Sequence, residues 1–359
     1  MNISNLARLL NAKMLNEPSV SSVNSFCTSL SKVNRGAAFF AIDDDGVVIN
    51  AAINAGAYAI ISANNPQNKD SEIAYLKVEN MRQALFRFLR FFAASLRIKF
   101  ILATPLELNL LAHINTQAKA LIAKDINELF YCVINAKGEE IIFTSDATLI
   151  NGVSEDYIRV NTADFEPIKT PSIFTSSFIV DDKFYANVQI SEIFAPELAA
   201  LISCLSRLGV FFKLGDFRAF FHFEPVFINA KLGAVEFGTS ERALIAVADA
   251  SLFKLVGERI ISLAPDTIVW RYGASEFIKT ALGIDKIKEQ NIIKDEAKEP
   301  TLFTPQKGKA SLDAELLEEK TRQRIARLDF RYVIINSSKD EILNALDLAY
   351  KSHQEVSLF

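Results

Sequence analysis

Residues 27–62, CTSLSKVNRGAAFFAIDDDGVVINAAINAGAYAIIS, contain the pattern that decides the fold. Gly36 follows a polar turn and precedes a short apolar run at 37–42, which predicts a buried strand. Apolar residues then recur at helical spacing as far as Gly56, which stands where a helix C-terminal cap belongs. A second apolar run at 57–61 predicts another strand. The stretch therefore predicts strand, helix and strand in succession.

The order of residues in this stretch resembles the N-terminal domain of the Mur ligases, the cytoplasmic enzymes that add amino acids to the uridine-nucleotide precursor of peptidoglycan. Family members carry a T-D-[ST]-R-x-[VIL]-x-P-G-x-[LA]-F-x-A segment, then a helix ending in A-x-x-x-G-A and an aliphatic strand. The matching segments of this chain are TSLSKVNRG at 28–36, AFFA at 38–41 and AINAGA at 52–57. The resemblance is nearest to the D-alanyl-D-alanine-adding type and implies a three-part α/β architecture.

The chain departs from the family pattern at ligand positions more than at scaffold positions. The family's acidic residue falls on Ser29 and its arginine on Ser31, and its G-x-x-x-D-G-H segment has shrunk to DDDG at 43–46. The resemblance implies a uridine nucleotide near Thr28, Ser29 and Ser31, whose hydroxyls offer hydrogen bonds to ribose or phosphate oxygens. Without the charged partners the expected binding is millimolar or none, and the alternative is a purely structural domain.

Length and composition predict a globular chain with two or three hydrophobic cores, because half of the 359 residues are apolar. A net charge of -4, from 39 basic and 43 acidic residues, gives no global basic field that would favour nucleic acid as a partner. Three scattered cysteines form neither a disulfide framework nor a metal-ligand pair, which indicates a reducing compartment. We find no targeting or transmembrane segment, so the predicted location is cytoplasmic.

A predicted strand at 99–104 marks the place where the central domain of a Mur ligase would begin. In an active ligase it runs into G-x-x-G-K-[ST], whose backbone N–H groups close around the phosphates while the lysine reaches them. Here it runs into PLELNL at 105–110, and no glycine occurs between Gly56 and Gly138. Without glycine the backbone does not readily adopt the positive-φ conformations of a phosphate nest, and Glu107 has the wrong charge. The sequence predicts that ATP-dependent chemistry has been lost, and no cofactor is expected.

Three further features are weaker candidates for a site. Residues 233–240, GAVEFGTS, have the glycine spacing of a phosphate loop, but Thr239 replaces the lysine and a tight turn is the preferred interpretation. The aspartates at 43–45 could hold a divalent cation, although consecutive residues point in different directions and a solvated loop is favoured. His113 lies among leucines, as is typical of a core-edge residue. No catalytic or metal-binding residue is predicted.

A strong amphipathic pattern covers residues 81–96 and predicts a helix with leucines and phenylalanines on one face and arginines, among them Arg87 and Arg90, opposite. Core packing with the arginines in solvent is the preferred interpretation. An anionic membrane surface or a protein partner is the alternative.

The remaining pattern predicts three domains: a Mur-ligase-like N-terminal domain at 1–97, a degenerate central domain at 98–230, and a Rossmann-like C-terminal domain at 231–359 with a parallel, helix-covered sheet. A charged segment at 286–311 predicts a mobile loop. The pattern also predicts a first helix at 3–10 capped by Ser4 and a long helix at 106–122.

The sequence thus predicts a pseudoenzyme of Mur-ligase ancestry that acts by binding or scaffolding. Its expected partners are a uridine-nucleotide peptidoglycan precursor and cell-wall synthesis proteins, not nucleic acid. Two alternatives stay open. One is an active ATP-dependent ligase that adds amino acids to a UDP-N-acetylmuramoyl-peptide through an atypical nucleotide site, and the other is a protein-interaction module that uses the basic aromatic helix at 81–97.

Overall fold

The computed structural model describes residues 1–43, 45–65, 70–170, 172–217, 220, 222–283 and 309–356. The chain forms two compact units: unit 1 comprises 1–164 with 196–215, and unit 2 comprises 165–195 with 216–359. Each unit is therefore built from two separate segments of the chain. The three-domain division at 97/98 and 230/231 stays a prediction.

The strands of the described residues, in chain order, are β1 Lys13–Met14, β2 Ser25–Cys27, β3 Ala37–Phe40, β4 Ala59–Ser62, β5 Ala74–Lys77, β6 Lys99–Leu102, β7 Ile114–Asn115, β8 Ala120–Ile122, β9 Ile141–Thr144, β10 Ile158–Arg159, β11 Phe165–Ile168, β12 Ser176–Val180, β13 Lys183–Val188, β14 Lys213–Leu214, β15 Glu224–Ile228, β16 Ala234–Val235, β17 Arg242–Ala246, β18 Ile268–Trp270 and β19 Tyr332–Ile335. The α-helices are α1 Ile3–Leu10, α2 Gly46–Asn54, α3 Met81–Ser95, α4 Pro105–Leu111, α5 Ile126–Ile134, α6 Ala147–Val153, α7 Ala195–Arg207, α8 Ala250–Leu263, α9 Ala274–Ala281, α10 Lys309–Ala326 and α11 Lys339–Val356. Two 3-10 turns lie at Leu30–Lys32 and Glu192–Phe194.

The first sheet of unit 1 has the order β1-β5-β4-β3-β2, in which β2 to β5 are parallel and β1 is antiparallel. This arrangement confirms the strand, helix and strand predicted for the organising stretch. Gly56 follows α2 with φ +100, and its carbonyl accepts the N–H of Gly36 at 2.9 Å. A left-handed residue is needed there to turn the chain from the helix back into the sheet, which glycine adopts without steric cost.

The second sheet of unit 1 is parallel throughout and has the order β10-β6-β9-β8. One hydrophobic core joins both sheets through α3, on which Phe88 stacks against Phe130 of α5 at 5.6 Å and meets Phe40 of β3 at 5.1 Å. The apolar face of α3 is therefore buried, while Arg87 and Arg90 are exposed on its other face. This burial confirms core packing as the main role of the apolar face.

Unit 2 contains the antiparallel sheet β11-β12-β13 and a mixed sheet of order β16-β15-β17-β19-β18. In the mixed sheet β17, β19 and β18 are parallel, and β15 and β16 add an antiparallel edge. Helices α9, α10 and α11 supply core residues against the parallel strands, including Phe277, Ile325 and Leu346. The helix-covered parallel sheet predicted for the C-terminal part is confirmed. Residues 286–308 of the predicted mobile loop lie outside the described residues, and its last three residues, 309–311, belong to α10.

Two local predictions are wrong. Helix α1 is capped by Asn2, whose side chain accepts the N–H of Ser4 at 2.8 Å, so Ser4 is the donor and not the cap. The helix expected at 106–122 ends at Leu111, because the chain from Ile114 enters β7 and pairs with β14. Its apolar pattern contains a turn at 116–119 that a helical count does not reveal, with Gln117 at φ 53.

Candidate functional site

The start of α4 stands where a phosphate loop would follow strand β6. Thr104 and Glu107 form a capping box: the Thr104 N–H donates to Glu107 Oε2 at 2.6 Å, and the Glu107 N–H donates to Thr104 Oγ1 at 3.2 Å. Pro105 opens the helix with its fixed φ and without an N–H. The local sequence T-P-L-E folds this way because it satisfies two N–H groups that a helix otherwise leaves without partners.

Glu107 is buried, with only 7% of the residue exposed. Burial raises its pKa, and the hydrogen bonds from Thr104 act in the opposite direction. Glu197 of α7, in the same unit, adds a further negative charge that raises the pKa. The first turn of α4 thus carries an acid that accepts hydrogen bonds, in a place where a phosphate loop would offer free N–H groups.

Neither of the two lysines nearest in sequence, Lys99 and Lys119, lies at this end of the sheet. Lys99 is the first residue of β6, whereas Thr104 follows the end of that strand. Lys119 immediately precedes β8, which runs parallel in the same sheet. Both side chains therefore belong to the amino-terminal edge of the sheet, opposite α4.

The predicted ligand residues Thr28, Ser29 and Ser31 lie together at the end of β2. Their three hydroxyls are not all free to bind a ligand, because Ser29 Oγ and Ser31 Oγ are hydrogen-bonded to each other at 2.9 Å. Thr28 Oγ1 is buried without a hydrogen-bond partner among the described residues. The hydroxyl pair of Ser29 and Ser31 is the part of the predicted site that a ligand oxygen could join.

Two further residues, Tyr131 and Lys32, belong to this candidate site, and the sequence did not predict them. Tyr131 of α5 accepts the backbone N–H of Thr28 at 3.1 Å and that of Ser29 at 3.0 Å on its hydroxyl oxygen. Lys32 places its ammonium 4.7 Å from the centre of the Tyr131 ring. Two successive N–H groups converging on one oxygen resemble an anion nest in which the tyrosine hydroxyl takes the ligand position. No local signal connects Tyr131 with residues about a hundred positions earlier.

The weaker candidates have structural explanations. In the turn at 233–240, the Thr239 hydroxyl donates to the Glu236 carbonyl at 2.8 Å, and β17 follows, as expected of a tight turn. Asp45 caps α2 by accepting the Val47 N–H at 2.8 Å. Among the described residues, no group of three or more His, Cys, Asp and Glu side chains is arranged to hold a metal ion.

The three cysteines Cys27, Cys132 and Cys204 are free thiols, and burial raises the pKa of each to about 11. A thiol with so high a pKa is a poor nucleophile at neutral pH. In the part of the chain that the structure describes, no helix is both long and apolar enough to span a membrane.

Comparison with known proteins places the fold. No protein-family model matches the chain, and no curated protein matches it. A crystal structure of MurF from Acinetobacter baumannii matches with a TM-score of 0.51 and 11% identity, over 97% of this chain and 98% of that one. The fold is that of a Mur ligase. MurF from Thermotoga maritima, solved in complex with ADP, matches with a TM-score of 0.48 and 14% identity over 93% of this chain and 99% of that one. The match to the Acinetobacter MurF structure confirms, for the fold, the Mur-ligase resemblance of residues 27–62.

Proposed function

We propose that this protein keeps the scaffold of a Mur ligase without its ATP-dependent ligation, and that it serves peptidoglycan precursor synthesis in the cytoplasm by binding or scaffolding. The single observation that carries the proposal is the capping box of Thr104 and Glu107. It occupies the helix start that follows β6, and it presents a carboxylate where a ligase would present free N–H groups and a lysine.

The chemistry of phosphoryl transfer explains why this difference matters. The reaction depends mainly on positioning the phosphates and on stabilising their charge, so the phosphate loop, its lysine and a magnesium ion are themselves the catalyst. A phosphate at the start of α4 would have to displace the Glu107 carboxylate from the Thr104 N–H and then lie beside it. Like charges at such close range, partly shielded from water, repel strongly.

The proposed ligand is a uridine-nucleotide peptidoglycan precursor held near Thr28, Ser29 and Ser31. The hydroxyl pair of Ser29 and Ser31 supports this role, and the Lys32 ammonium adds a positive charge close to Tyr131. A phosphate that displaced the Tyr131 hydroxyl would meet the two N–H groups that now donate to it. Since an ordered internal contact must be broken first, weak binding is expected.

Calorimetry with the UDP-N-acetylmuramoyl-peptide tests this ligand. Saturable heat of binding supports it if the affinity falls at least fivefold in a Ser29→Ala, Ser31→Ala variant. Ser25→Ala is a matched control, because Ser25 is a part-exposed serine of the neighbouring strand β2 and its hydroxyl donates to the side chain of Asn34 at 2.6 Å. No heat at millimolar precursor with a folded protein removes the ligand role and leaves a scaffold for cell-wall synthesis proteins.

The active-ligase alternative is tested separately by phosphate release from magnesium ATP in the presence of the precursor and D-alanyl-D-alanine. A MurF enzyme assayed in parallel shows that the conditions support ligation. Absence of release from this protein beside turnover by that enzyme supports the proposal.

A further inference from the structure

A cavity of about 430 Å³ opens in unit 1 at the edge of the second sheet that lies opposite α4. Its lining includes Lys99 and Ile141, the first residues of β6 and β9, and Lys119, which precedes β8. These strands are parallel, so their first residues share one edge of the sheet. Thr104 lies roughly 15 Å away along the direction of β6, at a rise of about 3.3 Å per residue.

Positive charge dominates the walls of the cavity. Arg97, Lys99 and Lys119 line it, and all three side chains are exposed. None of them forms a salt bridge within the described ranges. Three cations around one concave surface attract an anion more strongly than the same charges spread over a flat surface, because the low-dielectric walls focus their field.

Two acidic residues accompany these cations. The carboxylate of Glu140 accepts the N–H groups of Lys137 and Gly138, both at 2.7 Å. Burial alone would raise the pKa of Glu140, but these N–H groups and the charge of Lys119 hold it below its usual value. Glu139 lines the cavity itself, so the lining carries three positive charges and one negative charge.

An aromatic ring stands at the same cavity. Phe211 lines it and is 86% exposed, the largest value among the exposed large apolar side chains of the described residues. The chain is fixed on both sides of it, since the Val210 N–H donates to the Leu205 carbonyl at 3.0 Å and Lys213 of β14 pairs with Asn115. An anchored backbone that presents a phenylalanine ring to water provides a stacking surface for a ligand.

The backbone around the cavity is strained. Arg97, Gln117 and Glu139 all line it, with left-handed φ values of 54, 53 and 64. Such conformations are unfavourable for residues with a Cβ and concentrate at binding sites, where they fix the direction of a side chain. The Gln117 carboxamide forms no hydrogen bond to another described residue and can bond the edge of a planar ring.

We infer that this cavity binds a small phosphate ester that carries a flat ring, of the size of a nucleoside monophosphate. The ring stacks on Phe211 while the phosphate meets Arg97, Lys99 and Lys119. The volume suits a ligand of this size, since small-molecule sites typically measure about 300–1,000 Å³. The inference goes beyond the proposed function, because the cavity is separate both from α4 and from Thr28, Ser29 and Ser31.

The test is titration calorimetry of the full chain with UMP and AMP, compared with uridine and with inorganic phosphate. We expect at least one monophosphate to bind tenfold or more tightly than either fragment. Phe211→Ala should weaken binding about tenfold, in the range measured for base stacking on aromatic side chains. A Lys99→Gln, Lys119→Gln variant should weaken it by a similar factor and reduce its salt dependence.

Phe184→Ala and Lys183→Gln are the matched controls. Both residues are exposed on β13 of unit 2, and their substitution should leave the affinity unchanged. Each variant must melt within about 2 °C of the parent chain, as expected for exposed positions. No saturable heat at millimolar monophosphate would overturn the inference.

Equal weakening by the controls would also overturn it. So would loss of binding in the Ser29→Ala, Ser31→Ala variant with full binding in Phe211→Ala, since the nucleotide would then occupy the other place. Neither result bears on whether ATP is hydrolysed, so this inference and the proposed loss of ligation can fail independently.

Discussion

Thr104 and Glu107 bind each other through two reciprocal hydrogen bonds, of 2.6 Å from the Thr104 N–H to the Glu107 carboxylate and 3.2 Å from the Glu107 N–H to the Thr104 hydroxyl. The two residues thus satisfy each other's backbone N–H groups at the start of α4. By the Mur-ligase resemblance, a phosphate loop is expected at this position, directly after β6. A helix start that pairs two of its N–H groups with its own side chains leaves fewer N–H groups for a ligand.

Thr104→Ala removes one half of this pair and should lower the free energy of unfolding by about 1 kcal/mol, the usual cost of losing an N-cap. Urea denaturation followed by circular dichroism measures the change. Thr162→Ala is the control, because Thr162 is exposed and its side chain has no hydrogen bond to another described residue. Equal stability of the two variants would show that the capping box does not hold α4.

Asp146 caps α6 by accepting the N–H and hydroxyl of Thr148, both within 2.7 Å. The hydrogen bond from the Thr148 hydroxyl is the main cause that lowers the pKa of Asp146 below 3.8. A lowered pKa in the folded state means that the stabilisation is present above pH 3.8 and is lost as the pH falls through the folded value.

Asp146→Ala should therefore cost about 1 kcal/mol at pH 7, and the difference from the parent chain should shrink as the carboxyl becomes protonated. Urea denaturation at several pH values measures it. A difference that grows towards low pH would have the wrong sign for this cap.

The arginines of α3 have partners inside unit 1. Arg87 donates to the Leu10 carbonyl and Arg90 to the Gly152 carbonyl, both at 3.1 Å. Arg87→Gln and Arg90→Gln should each lower the free energy of unfolding by about 1 kcal/mol, because a charged donor is lost. Arg327→Gln is the control, since the side chain of Arg327 has no such partner among the described residues. A pull-down that loses a partner while stability is unchanged would instead support the interaction module.

Gly56→Ala should destabilise unit 1 by about 1–3 kcal/mol, because φ is +100 and a Cβ would lie 3.0 Å from the Arg35 Cα. Gly46 offers a matched control in the same strand, helix and strand. A Cβ at Gly46 would meet nothing within 4 Å, so Gly46→Ala should be neutral or slightly stabilising. Thermal melting of the two variants compares them directly, and equal melting temperatures would contradict the conformational argument.

Local periodicity explains which parts of the fold the sequence predicts well. Strand β3, helix α2 and strand β4 each have a regular apolar pattern and a glycine at the turn, so their order follows from the chain alone. The break of the long helix at Leu111 escapes such a count, because the pairing of β7 with β14 joins segments about a hundred residues apart. Tertiary pairing overrides helical spacing there.

The candidate site shows the same division. The missing glycines and the acid at Glu107 are visible in the sequence, and T-P-L-E is itself a capping-box pattern at the start of α4. The contacts of Tyr131 with Thr28 and Ser29 are not visible, since they depend on the packing of α5 beside the first sheet. The cavity beside Phe211 likewise forms from four segments that have no common motif.

Phosphate release from magnesium ATP is the most direct test of the claim that ligation has been lost. The protein is incubated for hours with ATP, the UDP-N-acetylmuramoyl-peptide and D-alanyl-D-alanine or other candidate amino-acid acceptors, beside an active MurF. The proposal predicts no release above the protein-free background, because the capping box places the Glu107 carboxylate at the start of α4, where the phosphates would have to lie. Acceptor-dependent release that vanishes when one residue of this chain is changed would contradict the account and show an active ligase.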